Sequence, residues 1–354
     1  MLTSAPKLKC NCNGNLNPRH SMKRHSHLAP LTFAVGIVLP SLLILGNVAA
    51  GAAEENLEKS FSVKPGGALV VDVEFGVIDV RTNGENQASI QVFRKVVLRD
   101  QAEEDTYLQE RPVTITQEGN TVTVRALPTT KRSRPVTKKT EARYTITVPC
   151  LSDVALNTGG GAINVTDLQG DAKAESGGGP LIFTRLVGPL AGRTGGGNVN
   201  LLDCDGTLKV NTGGGNIEVK GGAGTLNGRS GGGSLDVKDF KGSAHVETGG
   251  GSIKLDNVTG KIEGSTAGGS IVATLPSIKD EVNLKTAGGG VTLRAPSDAA
   301  FDLDAATAGG QANCELPVET AVKPSRNHLK GPVNGGGKSV VLRSSGGSVK
   351  VEKL

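Results

Sequence analysis

The chain has 354 residues, with 51 glycines, no tryptophan, an aromatic share of 3% and a formal net charge of +5. The excess charge belongs to the first 53 residues, which hold Lys7, Lys9, Arg19, Lys23 and Arg24 and no acid, so the remainder carries 34 basic and 34 acidic residues. A formally neutral body removes the positive field on which nucleic-acid or anionic-lipid binding rests, so neither is expected as a partner.

In chain order, the first segment reads as a leader. Lys23 and Arg24 precede an apolar run from Leu28 to Val48, and Ala49-Ala50-Gly51-Ala52-Ala53 supplies small residues for cleavage. This predicts a signal peptide from about Met22 within a leader region of 1–53, with residues 1–21 as an over-extended start. The rival is an uncleaved membrane anchor, since the run is just long enough to span a bilayer. Pro30, Pro40 and the alanine-rich end favour cleavage, and an exported protein. Any contact with a membrane is expected through this segment alone.

Residues 54–150 read as degenerate β coils. Gly67 to Val80 holds two alternating runs around Gly76, and Ser89–Val97, Val113–Thr116, Thr121–Val124 and Tyr144–Val148 are further strands. The one plausible helix lies between Arg99 and Gln109, placed as a side cover or N-terminal cap over an open strand edge. Thr129–Lys139, basic and proline-containing, reads as a solvated loop.

Residues 151–354 are organised by an 18-residue period. Thr158, Ser176, Thr194, Thr212, Ser230, Thr248 and Thr266 each precede small residues, mostly triple glycines, while Gly170, Gly188, Gly206, Gly224, Gly242 and Gly260 recur half a repeat later. Two short alternating runs per repeat, Leu208/Val210 and Ile217/Val219 in one copy, give strand periodicity twice per coil. Aligned at 18, Ile163, Leu181, Val199, Ile217, Leu235, Ile253 and Ile271 form one inward column, and Val165, Phe183, Leu201, Val219, Val237 and Leu255 another. Leu168, Leu186, Cys204, Gly222, Phe240 and Val258 form a third, and Ala172, Leu190, Leu208, Leu226, Ala244 and Ile262 a fourth. The fold expected is an all-β, right-handed parallel β-solenoid, continuous with the preceding part, in which each strand lies in register on its equivalent in the next coil.

The triple glycines are assigned to tight left-handed corners, so that Gly214→Val should be strongly destabilising. The hydroxyl column through Thr212 should be buried and bonded to backbone or to the next coil. After Thr266 the period loosens to 20 and 21 at Thr286 and Thr307, Leu316–Lys330 breaks the pattern, and the runs around Val340 and Val349 should be the last coils.

Motifs with chemical potential each meet a simpler reading. Gly331 to Ser339 suggests a phosphate loop, but Pro332 stands where the loop needs glycine, and a strand follows. Calcium binding in the manner of glycine-rich nonapeptides needs an aspartate column after the glycines; here Asn216, Pro180 and Ser234 stand there, and Asp167, Asp203 and Asp239 are interrupted by Arg185 and Gly221. Glu218 and Asp236, adjacent across coils, are the best carboxylate pair for polysaccharide cleavage, yet Lys220, Lys238 and Lys254 surround them and aromatic platforms are missing. His245 lies on an outward strand column and His328 in a loop, which supports neither zinc nor a Ser-His-Asp relay. Of the cysteines left after the leader, Cys204 reads as a small core hydrophobe, whereas Cys150 and Cys314 have no assignable role. No catalytic, metal or cofactor-binding residue is therefore assigned.

Phe61-Ser-Val-Lys-Pro-Gly-Gly, Tyr144-Thr-Ile-Thr-Val-Pro149 leading into Leu156-Asn-Thr-Gly-Gly-Gly-Ala-Ile-Asn-Val165, and the closing Gly331-Pro-Val-Asn-Gly-Gly-Gly with Ser345-Gly-Gly-Ser-Val resemble the bacterial "putative adhesin" family of β-strand-repeat proteins of unknown function. The resemblance covers 61–354 and implies envelope or surface association, with no catalytic residues to carry over. The expected function is a non-catalytic envelope protein, adhesive or structural, facing an unknown protein or glycan surface. An envelope-stress sensory module and a polysaccharide-active enzyme are the alternatives.

Overall fold

The structure is a computed structural model that describes residues 53–129, 140–319 and 325–354. Residues 1–52 of the expected leader and 130–139 of the expected solvated loop lie outside the described residues. The rest forms 28 strands and one helix, arranged in two sheets of 14 strands each.

The central coils follow from the two alternating runs. Asp205–Thr212 enters one sheet and Ile217–Lys220 the other; the next coil repeats this with Ala223–Ser230 and Leu235–Lys238. Neighbouring strands are parallel and offset by 18 residues, with Ile217 opposite Leu235 and Thr212 opposite Ser230. All four apolar columns point between the sheets, and apart from Gly222 their members are buried. The core is thus a single apolar strip running the length of the stack, as the columns require.

Each coil turns at two corners of different construction. At one, a residue with φ between 52° and 63° (Asp167, Arg185, Asp203, Asp239, Asn257) is followed three residues later by a glycine, such as Gly206 at φ 133°. Aspartate and asparagine tolerate the left-handed region better than most side chains, and glycine enters it freely. At the other corner sit the triple glycines, and there the expectation fails: none of Gly213, Gly214 and Gly215 has a positive φ. Their requirement is space. A Cβ on Gly213 would stand 2.2 Å from the Gly195 carbonyl oxygen and one on Gly215 2.0 Å from that of Gly197, whereas nothing lies within 4 Å of the corresponding point on Gly214. Coils at strand spacing leave no room for a side chain directed along the stack.

Both ends depart from sequence order. At the C-terminal end, Lys338–Ser344 and Val349–Lys353 lie between the coil of Val282–Thr286 and Val291–Ala295 and that of Phe301–Thr307 and Ala312–Cys314. The last strands in sequence are therefore not the last coil in space. His328–Val333 runs back antiparallel along the outer edge of Phe301–Thr307, leaving only the inner edge for the closing coil. Pro332, which has no amide hydrogen to donate, suits that edge strand.

At the N-terminal end, Gly67–Val73 and Val77–Asn83 form a coil against Ser152–Thr158 and Ile163–Thr166, and the coil of Thr121–Ala126 and Thr140–Pro149 lies outside it. The remaining strands here are antiparallel covers: Thr114–Glu118 on one sheet, and Gln87–Val96 followed by Ala53–Ser62 on the other. The strand Ala53–Ser62 was not expected, because its run Glu54-Glu55-Asn56-Leu57-Glu58-Lys59 is mostly charged; such residues discourage further pairing at an exposed edge. The helix, Gln101–Gln109, packs on Gln87–Val96 and Ala53–Ser62, as the side cover or cap expected of it.

The two roles of glycine separate experimentally. Gly215→Ala should cost about 2 kcal/mol or more and Gly214→Val within about 0.5 kcal/mol, read by chemical denaturation.

Candidate functional site

Strand alternation sends every second residue outward, and the 18-residue register lines these residues up. On the sheet containing Thr212, one outward column runs Asn211, Arg229, Glu247, Ser265, Lys285, Arg343. It lines an open groove of ≈ 840 Å³ along the edge of the hydroxyl column. The charges are linked across coils. Arg229 Nε is 3.1 Å from Glu247 Oε2, and Glu247 Oε1 is 2.9 Å from His245 Nε2. His245 Nδ1 is in turn 2.9 Å from Glu263 Oε2, and the doubly protonated ring is the form that can donate to both carboxylates.

Lys261 extends the chain, 3.0 Å from Glu263 and 3.5 Å from Glu281. Its hydrogen bonds lower the Glu263 pKa, with His245 adding to the effect, while Lys261 itself is raised by Glu263. At the C-terminal end of the groove, Arg343 lies 2.7 Å from Asp304, which also meets His328 Nε2 at 3.0 Å. Arg343 first, and His328 second, hold Asp304 below the usual carboxylate range despite partial burial. The arrangement matches opposite charges along a rod and leaves polar atoms facing outward.

Other residues singled out from sequence fall as follows. Glu218 and Asp236 are indeed paired neighbours, exposed on the opposite sheet, with Lys254 next to Asp236 in the column. Asp167 is engaged by Arg185, whose Nε and Nη2 lie 2.5 and 2.8 Å from its two oxygens, and Asp239 accepts from Asn257 Nδ2 at 2.7 Å. Asp167 and Asp239 therefore serve as links between coils. Among the described residues no group of three His, Cys, Asp or Glu side chains is placed to hold a metal ion. Lys338 and Ser339 begin an extended strand, and His328 opens the edge strand His328–Val333 and does not sit in a loop.

A cluster of buried ions at the N-terminal end was missed by the sequence reading. Arg111 is 1% exposed; it stacks over the Tyr107 ring at 4.1 Å and pairs through Nε with Glu74 at 2.5 Å. Arg94, 3% exposed, donates from Nε to Glu55 at 2.6 Å and from Nη1 to the Arg111 carbonyl oxygen at 2.6 Å. The signal for Arg94 lies in the alternation Ala88, Ile90, Val92, Arg94, Val96, which places an arginine on the inward face. Burial raises the nearby Tyr144 to about 12. These pairs fasten the helix and the antiparallel covers to the end of the stack.

Cys204 is buried in its column and burial pushes its thiol up to about 11; Cys314 is half-buried and shifted the same way. Both are free thiols. Because the thiolate is the reactive form, Cys204 in the folded protein should be alkylated at pH 8 at least tenfold more slowly than in urea, as read by mass spectrometry.

Comparison with known proteins finds no match among curated proteins. Among solved structures, the chain is similar to a putative adhesin from Bacteroides fragilis (13% identity, 85% of this chain and 97% of that one, TM-score 0.29). It is also similar to a putative cell adhesion protein from Clostridium sporogenes (12%, 85% and 100%, TM-score 0.20). A third likeness is to a putative adhesin from Parabacteroides merdae (15%, 85% and 96%, TM-score 0.26). The family model described as Toastrack DUF4097 matches residues 68–352, and with its two long sheets of stacked coils this chain belongs to that family.

Proposed function

We propose that the protein is an exported, non-catalytic component of the cell envelope, adhesive or structural, which presents the long side of its rod to a protein or glycan surface. The observation that carries this reading is the groove over Asn211, Arg229, Glu247, Ser265, Lys285 and Arg343, which offers one outward polar side chain per coil along one face. A polar groove with one outward position per coil suits an extended partner that makes a modest contact at each coil, because linked weak contacts multiply into avidity. The leader sequence supports export, and the surface position of the groove leaves it open to large partners.

A strain lacking the gene, complemented with the wild type or with the double variant Arg229→Glu, Lys285→Glu, tests this reading. Attachment to a polysaccharide- or matrix-coated surface should fall at least severalfold with the deletion and the double variant, and recover with the wild type. Unchanged attachment with altered envelope-stress signalling would favour a sensory module. Specific turnover in a broad glycan screen would contradict a non-catalytic role.

A further inference from the structure

Glu104 lies in the first turn of the helix and is only 6% exposed. The capping of that helix is done by another residue, since Asp100 Oδ1 accepts from Glu103 N at 2.9 Å. The Glu104 side chain turns toward the sheet covers. Its Oε2 accepts from Ala53 N at 2.8 Å and its Oε1 from Leu98 N at 3.0 Å. The buried arginines nearby are committed elsewhere, Arg94 to Glu55 and Arg111 to Glu74. Among the described residues no side-chain cation pairs with Glu104. A carboxylate this enclosed is costly without a counter-charge, even with two amide donors and the helix dipole in its favour.

The nitrogen held by Glu104 has a particular place in the sequence. Ala53 opens the outermost strand of its sheet, is 8% exposed and pairs with Val96. Immediately before it stands Ala50-Gly51-Ala52, the small-x-small pattern that precedes a leader cleavage point. Cutting the Ala52–Ala53 bond converts the nitrogen beside Glu104 from an amide into an α-ammonium.

We infer that the leader is removed between Ala52 and Ala53, and that the α-ammonium of Ala53 is the counter-ion of Glu104, locking the mature N-terminus into the cap. The inference rests on the export reading above. In the cleavage, performed by a leader peptidase, the oxygen of water bonds to the Ala52 carbonyl carbon, the C–N bond breaks, and the departing Ala53 amine takes up protons to become the ammonium. The Ala53 nitrogen is covered in the folded protein, so cleavage precedes folding of this end. The position is specific to one residue. A start at Glu54 removes the nitrogen, and a start at Ala52 leaves an uncharged amide beside Glu104 with the ammonium about 3.8 Å further along the chain.

The test uses the full chain produced in an exporting bacterial host. Intact mass and N-terminal sequencing should show a start at Ala53. With an acylating reagent at pH 7.5, the α-amine of the native protein should react about tenfold more slowly than in the urea-unfolded protein. In Glu104→Gln this protection should vanish; the native-to-unfolded ratio in the wild type needs no variant, should Glu104→Gln fail to accumulate. An exported chain starting at another residue overturns the inference and leaves the proposed function standing. A start at Ala53 with equal labelling in the native and unfolded states overturns the ion pair. A chain that keeps its leader inside the cell overturns both this inference and the export reading.

Discussion

The structure depends on one repeated interaction, a hydroxyl that bonds to backbone on two successive coils. Thr212 Oγ1 donates to the Gly197 carbonyl oxygen of the preceding coil at 2.8 Å and accepts from Gly215 N of its own coil at 3.0 Å. Ser176, Thr194, Ser230, Thr248 and Thr266 do the same with their equivalents. Each third glycine thus receives from the next coil's hydroxyl and gives to its own, and the chain of bonds runs through the buried corner from coil to coil. A buried amide and carbonyl that fall outside the strand ladders are satisfied in this way. The same geometry dictates glycine, since the coils approach too closely at that corner for a Cβ to fit between them.

The ladder persists where the chain order does not. Ser344 Oγ donates to Gly289 O and Thr307 Oγ1 to Gly347 O, so the closing coil enters the stack using the bonds of the regular repeats. The regular coils share a hydroxyl, a third glycine and two inward runs, and the closing segment, which has all three, takes its slot among them out of chain order. The antiparallel strands at the two ends then stop the propagation, since a solenoid is stabilised by its neighbours and needs distinct terminal units.

Most of the fold was legible because a period of 18 held over seven coils puts Ile217 on Leu235 whatever the details of the turns. The hydroxyl column was legible for the same reason, as alternation from Leu208 and Val210 turns Thr212 inward. Glycine was misread because it serves two physical ends, left-handed φ and close approach, and composition alone does not distinguish Gly206 from Gly215. The spatial order of the end coils was hidden, since Val282–Thr286 and Phe301–Thr307 offer the closing strand similar alternation. The buried pairs of Arg94 and Arg111 join residues 39 and 37 positions apart, and no spacing rule links them. On the outer faces the sequence marked His245 as outward, and its clasp between Glu247, two residues on, and Glu263, one period on, obeys the same register although outward side chains have many ways to turn.

The central claim, that the coils are held together through the corner hydroxyl, is tested most directly by comparing the unfolding free energies of Thr212→Ser and Thr212→Val. Serine keeps the oxygen, as at Ser176 and Ser230, and should change stability by less than about 1 kcal/mol, whereas valine leaves the Gly197 carbonyl and the Gly215 amide without their partner and should cost about 1–3 kcal/mol. Equal stability of the two variants would contradict the account.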